Sequence, residues 1–168
     1  RLGTDANGRV YGSAEVGAAL HRIASGSRSG HLFEADLGAV AVRSIDAEAA
    51  LRNALKPASD SPFGTLPTSG SYNASNDPRL TYDNPATGKP AFNSLAQQFQ
   101  VVARMIEAAG VIGAKRQVFF VSIGGFDTHD DQNQNHADLM ARVAHALRYF
   151  DTVLGAIGAR NNVTTFTA

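Results

Sequence analysis

Hydrophobic positions along this chain change their spacing several times. Behind Ser13, the residues Val16, Ala19, Leu20 and Ile23 share one helical face, which predicts an amphipathic helix capped by Ser13 and closed near Gly26. Leu32, Phe33, Leu37, Val40 and Val42 predict a helix turning into a short strand. Asp46 is then expected to cap a helix with Ala47, Ala50, Leu51 and Leu55 on its apolar face, stopped by Pro57. From Lys56 to Phe92 aliphatic positions become sparse, and all six prolines lie there among many Ser, Asn, Asp and Gly residues. Loops of this length are uncommon inside compact domains. The segment is therefore either a solvated surface excursion or the lid of a site, and Tyr72 and Tyr82 either line a ligand or anchor the loop.

Regular spacing resumes at Asn93. Capped by Asn93 or Ser94, a helix carries Leu95, Phe99, Val102, Met105, Ile106 and Ala109 on one face and is closed by Gly110 and Gly113. The run Gln117-Val118-Phe119-Phe120-Val121-Ser122-Ile123 is continuous, apolar and rich in β-branched and aromatic residues, which predicts a buried strand. A second strong helix is predicted from Asn133–Asn135, with the stripe Leu139, Met140, Val143, Leu147, Phe150, Leu154 and Ile157 and an end at Gly158. Val163–Ala168 reads as another strand. The order helix–strand–helix–strand predicts an α/β fold. Its two strands would be parallel and joined right-handedly through the intervening helix as a βαβ unit. The chain is read as one partial domain: a helical segment (1–55), the irregular loop (56–92) and the helix–strand–helix–strand unit (93–168). Both ends look like interior cuts in a longer protein: the first residue is Arg1, and the last predicted strand stops without a turn. Asp5-Ala6-Asn7-Gly8 reads as a plain turn, because the later carboxylates of a calcium loop are missing.

Composition narrows the function classes. The chain has 168 residues, 15 Lys+Arg against 15 Asp+Glu, and no cysteine. Zero net charge without a basic run gives no footprint for nucleic acid or an anionic membrane face. No apolar stretch approaches the length of a transmembrane span. The lack of cysteine removes disulfides, thiolate zinc sites and cysteine nucleophiles together, and suits an exported protein.

Candidate chemistry gathers just past the predicted strand. After Gly124 and Gly125 come Phe126, Asp127, Thr128 and His129, then Asp130, Asp131 and His136. The C-terminal edge of a strand in an open α/β sheet is where ligands bind. Carboxylate and neutral imidazole are ligands for zinc, manganese or iron, and carboxylates serve calcium. His136 precedes Leu139, Met140 and Val143 at helical spacing, so its ring is expected to lean toward the edge carrying Asp127. The plain alternative is that Asp127 caps a turn while His129 and His136 are ordinary turn and first-turn residues. Asp130 and Asp131 read as first-turn acids at the positive end of a helix dipole. Thr128 and His129 are adjacent on a tight turn and point apart, which argues against an activated hydroxyl. His145, off the stripe and one turn from both Arg142 and Arg148, reads as a surface residue. No Gly-x-Ser-x-Gly elbow, phosphate-binding glycine loop or dinucleotide fingerprint is present.

The segment Val118 to His129, with Gln132, His136 and the terminal run Val163-Thr164-Thr165-Phe166-Thr167-Ala168, closely resembles the bacterial DUF1501 family. The resemblance implies an exported protein, periplasmic or secreted, often bearing a twin-arginine signal. It further implies likeness to the alkaline phosphatase/sulfatase-like superfamily, hence an α/β/α sandwich with one or two metals at the C-terminal ends of its central strands. Asp127 and His129 would then be metal ligands, with His136 as a third. The superfamily pattern in this region is Asp-x-x-x-His, whereas here the fourth residue after Asp127 is Asp131. Two family segments, an upstream Gly-Gly-x-Asp-Gly-like strand end and a Ser-Asp-Phe-Gly-Arg-like segment after the last strand, have no counterpart in this chain. The expectation is part of an exported hydrolase of phosphate or sulfate esters that uses a divalent metal (zinc, calcium or manganese) on a small-molecule or glycan ester, with the fragment itself inactive. The alternative is a non-catalytic exported binding or assembly protein whose long loop meets a protein partner or a glycan.

Overall fold

Side-chain caps start two of the four α-helices in the computed structural model, which describes residues 9–26 and 31–168. The turn expected at Asp5–Gly8 and most of the glycine/serine loop before His31 lie outside the described residues. Contacts divide the chain into two units, Arg1–Ala54 and Leu55–Ala168.

In the first unit, Tyr11 (φ 51°) and Gly12 (φ 78°) turn the chain so that Val10 and Ser13 pair across the bend. Ser13 then caps α1 (Ala14–Ser25), accepting from the Val16 amide. Helix α2 runs unbroken from Leu32 to Ala54. This corrects the helix-to-strand turn expected around Val42 and the cap expected at Asp46. The stretch is rich in alanine, whose helix propensity carries the backbone through both positions, and the Ser44 hydroxyl is satisfied within the helix on Val40 O. Asp46 instead faces His21 of α1, Oδ1 to Nε2 at 3.4 Å. The two helices approach closely at Gly38, where a Cβ would stand 2.7 Å from Ala24 O. Neither helix contains a buried residue.

The second unit holds the core. Helix α3 (Ser94–Ile112) is capped by Asn93, whose side-chain oxygen accepts from the Leu95 and Ala96 amides, and it ends on Gly113 in the left-handed conformation at φ 73°. Helix α4 (Gln132–Ala156) packs against it, with Phe99 stacked on Phe150 at 4.5 Å between ring centroids. Leu95, Ala96, Val102 and Ala103 of α3 meet Ala146, Tyr149, Val153 and Leu154 of α4. Met140, assigned to the α4 stripe by spacing, is exposed, and Tyr149 and Val153 take its place in the core.

The proline-rich region is not a solvated excursion. Phe63 and Leu80 are fully buried in the core, each worth roughly 2–3 kcal/mol relative to exposure. Its end forms a hairpin of β1 (Thr81–Asn84) and β2 (Lys89–Phe92), paired antiparallel with Tyr82 opposite Ala91. Asn84 Oδ1 organises the turn by accepting from the Ala86 and Thr87 amides, and Gly88 (φ 64°) closes it. Behind the hairpin, a polar network ties the region to α3 and α4. Asp77 accepts from the Thr65 amide and the Tyr72 hydroxyl. Gln100 donates to Ala58 O, Phe63 O and the Tyr72 oxygen, and Tyr149 donates to Phe63 O at 2.5 Å. Burial in this network pushes the Tyr72 phenol up to about 12 and raises that of Tyr149 as well. Gly64 is required here, since a Cβ would meet Ala58 O at 2.2 Å and Asp77 Oδ2 at 2.7 Å. Tyr72 and Tyr82 thus anchor the segment.

The expected parallel βαβ unit of an α/β/α sandwich is not what forms. The described residues contain four α-helices and a single two-stranded antiparallel sheet, the hairpin. Gln117–Ile123 keeps the side-chain period of a strand: Phe119, Val121 and Ile123 pack on the core, while Val118 is 99% and Phe120 92% exposed. It gains no strand partner among the described residues. Its backbone is held instead by Gln98, whose side-chain amide donates to Ser122 O and accepts from Ser122 N. Val163–Ala168 likewise joins no sheet. It leaves α4 through a short 3-10 turn at Arg160–Asn162 and packs on the core only through Val163. A continuous apolar run states a preference for extended backbone, but a strand also needs a neighbour to complete its ladder. The burial expected for this run is met on one face only, since Val118 and Phe120 stand outside the core.

Candidate functional site

Two polar clusters flank α4. The first is the predicted one. Beyond Ile123 the chain turns through Gly125, whose φ of 97° excludes most side chains, and Thr128 N donates back to Phe126 O at 3.1 Å. This tight turn brings Asp127 Oδ2 and His129 Nε2 to 3.3 Å. Their side chains are 92% and 84% exposed. His136, in the first turn of α4, sets its ring edge-on to Phe126 with centroids 6.2 Å apart. Among the described residues no three His, Asp or Glu side chains converge as a metal-binding group. The turn therefore presents a two-donor pair, with His136 engaged on the neighbouring aromatic ring. Asp131 stands at the N-cap position of α4 in the left-handed conformation (φ 49°) and makes no side-chain capping bond. Asn135 reaches back instead to Asp130 O.

The second cluster lies where the hairpin meets the middle of α4. Tyr82 O–H donates to Asp138 Oδ1 at 2.5 Å, and Arg142 Nε donates to the Tyr82 oxygen at 2.9 Å. Arg142 also pairs with Asp138 at 2.7 Å, one helical turn away, so its charge is neutralised in place. Burial, then the bond to Asp138, raises the Tyr82 phenol above its ordinary range. Asn93, fully buried, adds a contact that couples cap to helix: its amide nitrogen donates to Arg142 O at 2.8 Å and lies 3.1 Å from His145 Nδ1. The amide orientation follows from capping, because the oxygen must accept the two α3 amides. The nitrogen therefore faces His145, Nδ1 accepts, and the imidazole proton sits on Nε2. Burial and the nearby Arg148 charge lower the His145 pKa, which favours this neutral form.

His145 is thus half-buried and positioned rather than a plain surface residue. Its cover comes from Tyr82 and Asn93, on elements outside its helix, so the apolar stripe of α4 carries no sign of it. The Asp138–Arg142 pair at i,i+4 was open to detection as helix chemistry. Its junction with Tyr82 was not.

A family model described as "Protein of unknown function (DUF1501)" matches residues 67–168, more than half of the chain. No curated protein and no solved structure matches it. The match covers α3, α4, the hairpin and both polar clusters.

Proposed function

The chain belongs to the DUF1501 family, and from that premise we propose that the whole protein is an exported, metal-dependent hydrolase of phosphate or sulfate esters, to which this chain contributes Asp127 and His129. The observation that supports this reading is the 3.3 Å separation of Asp127 Oδ2 and His129 Nε2. Two ligands each about 2.1 Å from one tetrahedral ion stand about 3.4 Å apart, so the pair has the spacing of neighbouring donors to a single divalent metal. A carboxylate and a neutral imidazole suit zinc or manganese. When bound, such an ion lowers the pKa of a water or hydroxyl nucleophile and stabilises charge on the transferring group. Asp127 and His129 would hold it, and His136 would support the turn through Phe126. Further donors would come from outside these two residues, since a catalytic metal takes at least three protein ligands. Periplasmic or secreted placement belongs to the same reading and rests on the family likeness.

A second reading, a non-catalytic binding or assembly protein, is supported by the outward apolar side chains of Val118 and Phe120. One experiment separates the two. Metal content of the full-length protein is measured by elemental analysis, and hydrolysis of aryl phosphate and aryl sulfate esters is followed for the parent, Asp127→Ala and His129→Ala. The hydrolase reading expects stoichiometric metal and a loss of turnover of at least about 100-fold in either variant, because even indirect disturbance of a metal ligand costs 10–100-fold. A folded full-length protein without metal overturns it and favours the binding reading.

A further inference from the structure

A groove of about 550 Å³ opens between Pro78–Asp83 and the face of α4 that carries Ala144, His145 and Arg148. It shares no lining residue with the Asp127–His129 turn. Ala141 and Ala144 give it depth, since two small side chains on one helical face leave room above the backbone. Tyr82 forms part of one wall.

Its polar groups are mostly donors. Arg148 makes no side-chain hydrogen bond or ion pair to a described residue, and its charge acts on His145 one turn away. Arg79 spends one N–H on Pro62 O at 3.2 Å, and the rest of its guanidinium stays available. His145 keeps its proton on Nε2, because Asn93 occupies Nδ1, and no described residue accepts from Nε2. The hydroxyls of Thr81 and Thr152 are already committed as donors to Asp77 O and Arg148 O. Asp83 is the single acid in the lining. Two guanidiniums, a neutral N–H donor and one carboxylate leave a net positive charge with unspent donors, in a concavity large enough for a small molecule.

We propose that this groove binds a tetrahedral oxyanion, phosphate or sulfate, through Arg148, Arg79 and His145 Nε2–H. The anion is either free or the charged group of a larger molecule. Arginine's planar fork presents paired N–H groups to such oxygens, and the imidazole held by Asn93 supplies a donor whose direction is set before the ligand arrives. Asp83 opposes the anion, and its removal strengthens binding. The proposal does not depend on metal at Asp127 and His129.

The test uses the full chain labelled with ¹⁵N, titrated with inorganic phosphate, inorganic sulfate and glucose 6-phosphate while the His145 ring nitrogens and the Arg148 Nε–H are followed by NMR. Before ligand, His145 should show the neutral tautomer protonated on Nε2. Saturable shifts at both residues are expected, with binding weakened roughly tenfold or more in Arg148→Gln, the loss of a hydrogen bond to a charged group. Asp83→Asn should bind more tightly, while Arg116→Gln, an exposed arginine outside the groove, should bind like the parent. Tighter binding of glucose 6-phosphate than of inorganic phosphate assigns the anion to a larger ligand; equal binding assigns it to the free ion. The proposal is overturned by shifts that fail to saturate at concentrations of about 10 mM, the weak end of specific recognition. It is equally overturned if Arg148→Gln binds as the parent does, or if Asp83→Asn weakens binding. Arg148 is exposed, so its replacement leaves the fold in place.

Discussion

Two histidines in this chain are held in opposite ways. His129 meets an acid two residues away on a turn, and both side chains stand in solvent. His145 meets an amide 52 residues away, is half-buried, and has its proton assigned by the capping geometry of another helix. The first contact is a consequence of chain proximity. It costs little to form and, as an exposed ion pair, stabilises little. The second exists only when α3, α4 and the hairpin are assembled, so each partner is ordered by the rest of the core. A preorganised donor is useful to a ligand before binding, whereas an exposed pair becomes ordered only when something such as an ion is added. Metal content therefore reports on the first cluster, and tautomer and anion affinity report on the second.

The largest effect is expected at the residue that joins cap and histidine. Asn93→Ala removes the α3 cap, leaves His145 Nδ1 without its donor and takes a second donor from Arg142 O, which keeps its partner within α4. Chemical denaturation should show a loss of roughly 2–4 kcal/mol from the cap and the unpaired His145 nitrogen together. The His145 ring should also lose its tautomer preference by NMR. A loss no greater than that of a surface substitution would dissolve the contrast between the two histidines.

An intermediate effect is expected from pH. The His145 pKa in the folded state lies below the ordinary value of 6.5, so the unfolded chain binds the proton more readily than the fold does. The stabilising contribution is therefore complete above pH 6.5 and is lost as pH falls from there through the lower folded value. Unfolding free energies measured across this acid range should decline in the parent, and the His145→Gln variant should lack that component. Parallel profiles for the two proteins would show that the half-buried imidazole does not report on folding.

The smallest effect is expected at the exposed pair. Asp127→Asn should leave the denaturation midpoint of the metal-free protein unchanged, because neither partner is removed from water. A midpoint shift comparable to that of Asn93→Ala would mean that the turn is part of the core, and the comparison would reverse.

The local devices of this fold were legible in the sequence. Ser13 and Asn93 announce helix starts, Gly26 and Gly113 announce ends, and the apolar periods of α1, α3 and α4 need no partner to be recognised. The closeness of Asp127 and His129 is likewise a local matter, since they are two residues apart on one tight turn. Where local signals conflicted, local reading failed: Asp46 has the chemistry of a cap, yet the alanine-rich segment around it continues as helix. What tertiary structure alone decided are the matters that need a second segment. Gln117–Ile123 carries a strand's apolar, β-branched composition, but hydrogen-bonded pairing is a property of two segments, and here Gln98 takes the place of a neighbour. Phe63 and Leu80 come from a proline-rich stretch with no period at all, and they are buried because α3 and α4 leave a space that they fill. His145 is off the stripe of its own helix, and its burial, tautomer and place in the groove come from Asn93 and Tyr82, on elements that no reading of α4 contains. Caps and periods are set by interactions within a few residues and can be read in order along the chain. Burial and pairing depend on which distant segments meet, and that is settled only by the packed whole.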